Sequence, residues 1–133
     1  MPSINENTEK IEESKFIMPY KLKLKIDSKE NIFILDVREK GEYENWHIPS
    51  SVNIPLSLIR DNIDKIPKDK EIIAVCAHGI RSEQARQFLA SKSYKVKTLY
   101  KGMVQWNSVY DIAEIKTQNK IIQVLQFRRI GKG

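Results

Sequence analysis

Two continuous apolar runs, Ile32-Phe33-Ile34-Leu35 and Ile72-Ile73-Ala74-Val75, constrain this chain more than any other feature. Neither alternates with polar residues, so each reads as a strand buried on both faces of a sheet. Too much chain lies between them for a hairpin. A polar helical stretch runs from Glu39 to Trp46, Val52 to Ile54 forms a short strand, and Pro55 opens a helix with Leu58, Ile59 and Ile63 on one side. Pro67-Lys68-Asp69 then turns into the strand Glu71 to Val75. Beyond it, Ser82 to Lys92 reads as a helix with Ala85, Phe88 and Leu89 inward, and Val96 to Tyr100 as a strand that Gly102 breaks. Met103 to Ile112 reads as a last helix through Val104, Trp106 and Tyr110. Residues Phe16 to Ile26 carry both a strand-like and a helix-like spacing; the preferred reading is a strand over 15–17 and a helix from Pro19. Strands alternating with helices require crossover connections. The expected fold is therefore α/β, a mostly parallel five-stranded sheet with helices on both faces. Ligands in such sheets bind beyond the carboxyl ends of the strands, here after Leu35 and Val75.

The chain of 133 residues fits one domain with appendages. Residues 1–14 are polar and acidic and read as a flexible tail, 15–113 as the domain, and 114–133 as a basic extension. Residues 115–133 carry five cations (Lys116, Lys120, Arg128, Arg129, Lys132) and no acid, the main source of the net charge of +6. That balance serves solubility or favours small anionic substrates and anionic partners. Without an aromatic-interleaved basic stripe it does not point to nucleic acid. No apolar run approaches the ~20 residues of a membrane span. The N-terminus lacks a secretory-type apolar stretch, and the single cysteine excludes an internal disulfide, so a reducing, cytoplasmic setting is expected. One cysteine and two histidines offer no credible metal cluster, and no cofactor is expected.

The chemically loaded segment is Cys76-Ala77-His78-Gly79-Ile80-Arg81-Ser82, between a buried strand and a helix. A cysteine closing an apolar run is most often a small buried hydrophobe. Its neighbours here argue otherwise. If the loop curls, its amides form an inward-facing anion nest, and the following helix adds its positive end. Gly79 permits a backbone conformation closed to other residues, and Arg81 brings a permanent cation toward the mouth. All of these favour a thiolate; lowering the thiol pKa by ~2 units corresponds to about 2.7 kcal/mol of anion stabilisation.

Over roughly residues 16–112 the chain resembles a single-domain rhodanese. The resemblance rests on Leu35-Asp36-Val37-Arg38-Glu39, on Glu42-Tyr43 with His47-Ile48-Pro49, on Asn53-Ile54-Pro55, on Cys76 through Ser82, and on Gly102 with Trp106. It implies a rhodanese-like fold and a two-step sulfur relay. The Cys76 thiolate would take sulfur from a small anionic donor such as thiosulfate, and a thiophilic acceptor, a thiol, a cyanide-like nucleophile or a protein, would remove it from the persulfide. On this reading Cys76 and Arg81 are catalytic, and Ala77, His78, Gly79, Ile80 and Ser82 form the substrate-binding loop. Asp36 and Arg38 brace that loop by hydrogen bonds or an ion pair, and His47 fixes its own turn. His78 either assists the donor or acceptor or faces solvent, and Trp106 belongs to the core. Ser50 and Lys101 stand where the family usually has glycine, as does Trp46, and the loop lacks the extra basic residues of classical thiosulfate enzymes.

Two other readings compete. A cysteine–arginine phosphatase needs one more residue between the two side chains than the four found here, Ala77 to Ile80. A non-catalytic regulatory module would typically have lost the cysteine. Residues 121–127 look β-like; together with the basic end they resemble the opening of a metallo-β-lactamase-type domain, or else form a tail that pairs with an edge.

Overall fold

The computed structural model describes residues 15–111. The acidic tail and the basic extension, with its β-like segment, lie outside the described residues. The elements are β1 (Phe16–Ile17), α1 (Pro19–Asp27), β2 (Ile32–Asp36), α2 (Lys40–Asn45), β3 (Val52–Asn53), β4 (Glu71–Val75), α3 (Ile80–Ser91), β5 (Val96–Leu99) and α4 (Gly102–Trp106), which runs into a π-helical turn, Asn107–Asp111. All strand pairs are parallel, in the order β1-β5-β4-β2-β3. The central pair aligns Asp36 with Val75, so the carboxyl ends of the two apolar runs lie side by side.

The sheet divides the core in two, because successive strand residues point to opposite faces. On one face Ile72, Ala74 and Cys76 of the β4 line pack with Leu35, Val37, Ile59, Ile66, Ala85 and Leu89. On the other, Ile73 and Val75 pack with Ile34, Leu22, Leu99, Met103 and Trp106. Thus α3 covers the Cys76 face while α1 and α4 cover the opposite one. In α1 the inward pair is Leu22, fully buried, and Ile26, whereas Tyr20 and Leu24 are exposed.

One expected helix is replaced. After Pro55 the chain forms two 3-10 segments, Leu56–Leu58 and Arg60–Lys65, with a break in helical geometry at Asn62. Leu58, expected inward, is exposed, and the residues meeting the core are Leu56, Ile59, Ile63 and Ile66. Two of those intervals are three residues, the repeat of a 3-10 helix, which stacks i and i+3 directly. α3 also starts earlier than the sequence suggests, at Ile80, and α4 shortens to one turn before the π-helical segment.

Ser50 adopts φ 71° and Lys101 φ 58°. Left-handed backbone costs a side-chain-bearing residue about 1 kcal/mol or more. Ser50→Gly is therefore expected to raise stability by about 0.5–1 kcal/mol after the entropy of the freer glycine is subtracted. The midpoint of urea unfolding reads this; an unchanged or lower midpoint contradicts it.

Candidate active site

Cys76 is the first residue beyond β4, and its side chain lies on the α3 face. Gly79 takes φ 100°, which turns the loop into α3 and makes this glycine the residue that caps the helix. Because α3 begins at Ile80, the amide of Ser82 is one of the first-turn donors that no helical carbonyl can satisfy. It finds the sulfur instead. The Ser82 amide donates to Cys76 Sγ at 3.2 Å and the Gly79 amide at 3.1 Å, while the thiol donates to Ser82 Oγ at 3.3 Å. Cys76 is 1% exposed, so these bonds operate away from bulk water. The sulfur is buried but not packed in hydrocarbon alone.

The loop is held from outside by α4. The amides of Met103 and Val104 donate to the carbonyls of Cys76 (2.7 Å) and Ala77 (3.0 Å). With those carbonyls drawn outward, the amides further along the loop are left to face inward. Gly102 makes the approach possible: at φ 64°, a Cβ here would sit 2.6 Å from the Ala77 carbonyl oxygen and nearer still to that of Cys76. On the far side, Glu83 in the first turn of α3 accepts from Thr98 of β5 (3.0 Å) and from Arg86. The Arg86 guanidinium, foremost, holds the Glu83 carboxyl below the usual carboxylate range. α3 is thereby tied to the sheet with its amino end aimed at the sulfur.

The remaining candidates go elsewhere. The Arg81 guanidinium, expected to face the sulfur, makes a two-pronged ion pair with Glu42, at 2.7 and 3.0 Å. Its pKa is raised first by that bond and, to a lesser degree, by the charge of Cys76. Glu42 also completes a reciprocal capping box by accepting from the Glu39 amide at 3.0 Å. Arg81, with help from that amide and against the opposing effect of burial, lowers the Glu42 carboxyl to about 2. A depressed carboxylate stabilises the fold above its unfolded pKa and loses that contribution as pH falls toward the folded value. Wild-type stability is therefore expected to drop between about pH 4.5 and pH 2 more than that of Glu42→Gln. The pair is about one-third exposed, so the difference should not exceed about 1 kcal/mol. Acid titration of chemical unfolding checks this, and identical curves contradict it.

Asp36 and Arg38 do pair, through contacts of 2.7 to 3.1 Å, but the rest of the network does not reach the cysteine loop. Arg38 donates to the Trp46 carbonyl, and the Asn53 amide donates to the carbonyls of Asp36 and Arg38. The pair braces the turn after α2 and the edge strand. His47 stacks on Tyr43, rings 3.7 Å apart, with Nδ1 2.7 Å from the Tyr43 carbonyl oxygen. Both contacts tie the ring back to the end of α2. His78 and Ile80 are exposed and line a cleft of about 420 Å³ with Phe16, Tyr100 and Lys101. Trp106 is core.

Residues 18–109 match the rhodanese-like domain. The chain belongs to the rhodanese-like family. Among curated proteins it is 40% identical over 85 residues to the "Putative sulfur carrier protein YrkF" of Bacillus subtilis, 63% of this chain and 46% of that one. It therefore spans about half the length of that relative. With the "Putative sulfurtransferase YtwF" of the same organism it shares 33% identity over 94 residues, 71% of this chain and 91% of the other. A rhodanese-related protein from Thermoplasma volcanium superposes with a TM-score of 0.67 at 31% identity, covering 73% of this chain and 95% of that structure. The parallel sheet with helices on both faces is thus the rhodanese-like α/β fold, in a family whose relatives here include named sulfurtransferases. Among the described residues, no cluster of His, Cys, Asp or Glu could hold a metal ion, and no helix is long and apolar enough to cross a membrane.

Three participants were not evident from the sequence. Glu42 stood out only as part of a family motif, although the Glu39-x-x-Glu42 spacing does signal a capping box. The amides of Met103 and Val104 carry no side-chain signature at all.

Proposed function

We propose that this rhodanese-like domain is a sulfurtransferase that carries sulfane sulfur on Cys76. The observation that carries the reading is the pair of amides, Gly79 and Ser82, aimed at Cys76 Sγ. Two backbone donors converging on one buried sulfur are suited to holding a nucleophilic sulfur and the persulfide formed on it, since hydrogen bonds to an ionised acceptor are roughly twice as strong as neutral ones. Upon ionisation the Ser82 hydroxyl can turn from accepting to donating, adding a third donor. The thiolate attacks the outer sulfur of a donor such as thiosulfate. A sulfur–sulfur bond forms to Cys76, the donor's own breaks, and sulfite leaves with the electron pair. An acceptor, cyanide, a small thiol or a protein thiol, then attacks the outer sulfur and returns the Cys76 thiolate. The setting expected for this free thiol is the reducing cytoplasm. The relatives named as a sulfurtransferase and a sulfur carrier support the same reading.

Arg81 and the loop residues Ala77, His78 and Ile80 belong to this proposal as the frame of the site. Asp36, Arg38 and His47 act by holding the neighbouring turns. The test is a thiosulfate–cyanide assay following sulfite and thiocyanate. Wild type should release both in equal amounts, and Cys76→Ser should lose at least about a thousandfold in rate. Comparable turnover by Cys76→Ser would overturn the proposal. So would a wild type inert to thiosulfate and to other sulfane donors, which would favour the regulatory-module reading.

A further inference from the structure

The fate of Arg81 bears on which donors the site accepts. A guanidinium five positions after the nucleophile is well placed to attract anions, yet both of its prongs are committed to Glu42. Two other arginines are committed too: Arg38 to Asp36, and Arg86 to Glu83. Glu39 adds a further negative charge that Arg81 feels. Lys101, on the other side of the loop, holds its ammonium 5.6 Å from the centre of the Tyr100 ring, a contact that leaves its charge in place but on the cleft side away from Glu42. The amides can hold one buried anionic sulfur, but the guanidinium nearest to it in sequence, Arg81, is already neutralised by Glu42.

We infer that Glu42 is a donor-selecting residue: by holding Arg81 in a two-pronged ion pair it withholds the guanidinium from the donor and biases the Cys76 site toward singly charged sulfur donors over dianions. This rests on the sulfurtransferase reading above. Glu42 touches neither the sulfur nor the donor, so it acts through Arg81 and is a positioning residue. Its carboxylate remains charged throughout the neutral range, so the bias is built in and does not switch with physiological pH.

Two probes of similar shape separate charge from chemistry. Thiosulfate is a dianion that releases sulfite; methanethiosulfonate is a monoanion that releases methanesulfinate when its outer sulfur moves to Cys76. Glu42→Gln keeps an acceptor for the Glu39 amide, since glutamine also completes a capping box, and removes the charge that holds Arg81. With cyanide as acceptor, the variant should raise kcat/KM for thiosulfate about tenfold, and for methanethiosulfonate less than about threefold. The gain should shrink with salt and disappear in Glu42→Gln/Arg81→Gln. Equal changes for both donors in a folded variant would overturn the inference. A second measurement compares slopes: kcat/KM for thiosulfate should fall more steeply between about 0.02 and 0.5 M ionic strength in Glu42→Gln than in wild type, and equal slopes would show that Glu42 does not withhold Arg81 from the dianion. Failure of the wild type to take sulfur from these or any other sulfane donor would sink the sulfurtransferase reading and this inference with it; normal turnover with a donor ratio that Glu42→Gln leaves unchanged would sink the inference alone.

Discussion

Gly102→Ala is expected to destabilise the domain by about 3 kcal/mol or more and to lower sulfur transfer out of proportion to the fraction unfolded. Two penalties act together. The φ of 64° is strained for alanine, and the added methyl would overlap the carbonyl oxygens of Cys76 and Ala77. Both obstacles are backbone atoms and cannot rotate away. To relieve the overlap α4 must retreat, which lengthens the Met103 and Val104 hydrogen bonds that draw those carbonyls outward. The loop amides then lose the constraint that keeps them turned toward the sulfur. Urea unfolding together with the activity of the folded fraction measures both effects. An alanine variant of wild-type stability would mean that α4 does not support the loop.

Arg38→Ala should cost about 3–5 kcal/mol, because it strands a fully buried carboxylate. Asp36 is 0% exposed and accepts from both the side chain and the backbone amide of Arg38. The same substitution frees the Trp46 carbonyl and loosens the turn that precedes His47. Asp36→Asn/Arg38→Ala should recover part of the loss by removing the unpaired charge, although the Trp46 contact stays broken. Calorimetric or urea midpoints of the two variants test this; a single variant within about 1 kcal/mol of wild type would place the pair among weak surface contacts.

These two effects differ in how visible they are in the sequence. Leu35-Asp36-Val37-Arg38 can be read locally: a carboxylate and a guanidinium two positions apart at the end of a buried strand face the same side and meet. The amide cradle was legible for the same reason. Cys76, Gly79 and Ser82 fall within one strand–loop–helix unit, and helix termini leave donors unsatisfied wherever they occur. The sheet was legible because β2 and β4 are buried on both faces and so contain unbroken apolar runs.

What escaped the sequence depends on side-chain direction or on contacts between distant segments. Arg81 could turn to the sulfur or away from it, and the choice was made by Glu42, 39 positions earlier. The segment after Pro55 has apolar residues at 56, 58, 59, 63 and 66, which fit an α-helix nearly as well as the 3-10 turns that form. The three-residue intervals 56–59 and 63–66 match the repeat of the 3-10 helix, and Leu58, off that repeat, is left outside. The support from α4 involves only backbone atoms of Met103 and Val104, so the one visible sign of it was Gly102.

Cys76, cradled by the Gly79 and Ser82 amides, is proposed to receive and release a sulfur atom. Intact mass spectrometry of the full chain after exposure to a sulfane donor, followed by peptide mapping, tests it most directly. The expected result is a gain of one sulfur atom per chain, located on the peptide containing Cys76 and removed by cyanide. An unchanged mass with every donor, or added sulfur that cyanide does not remove, would contradict it.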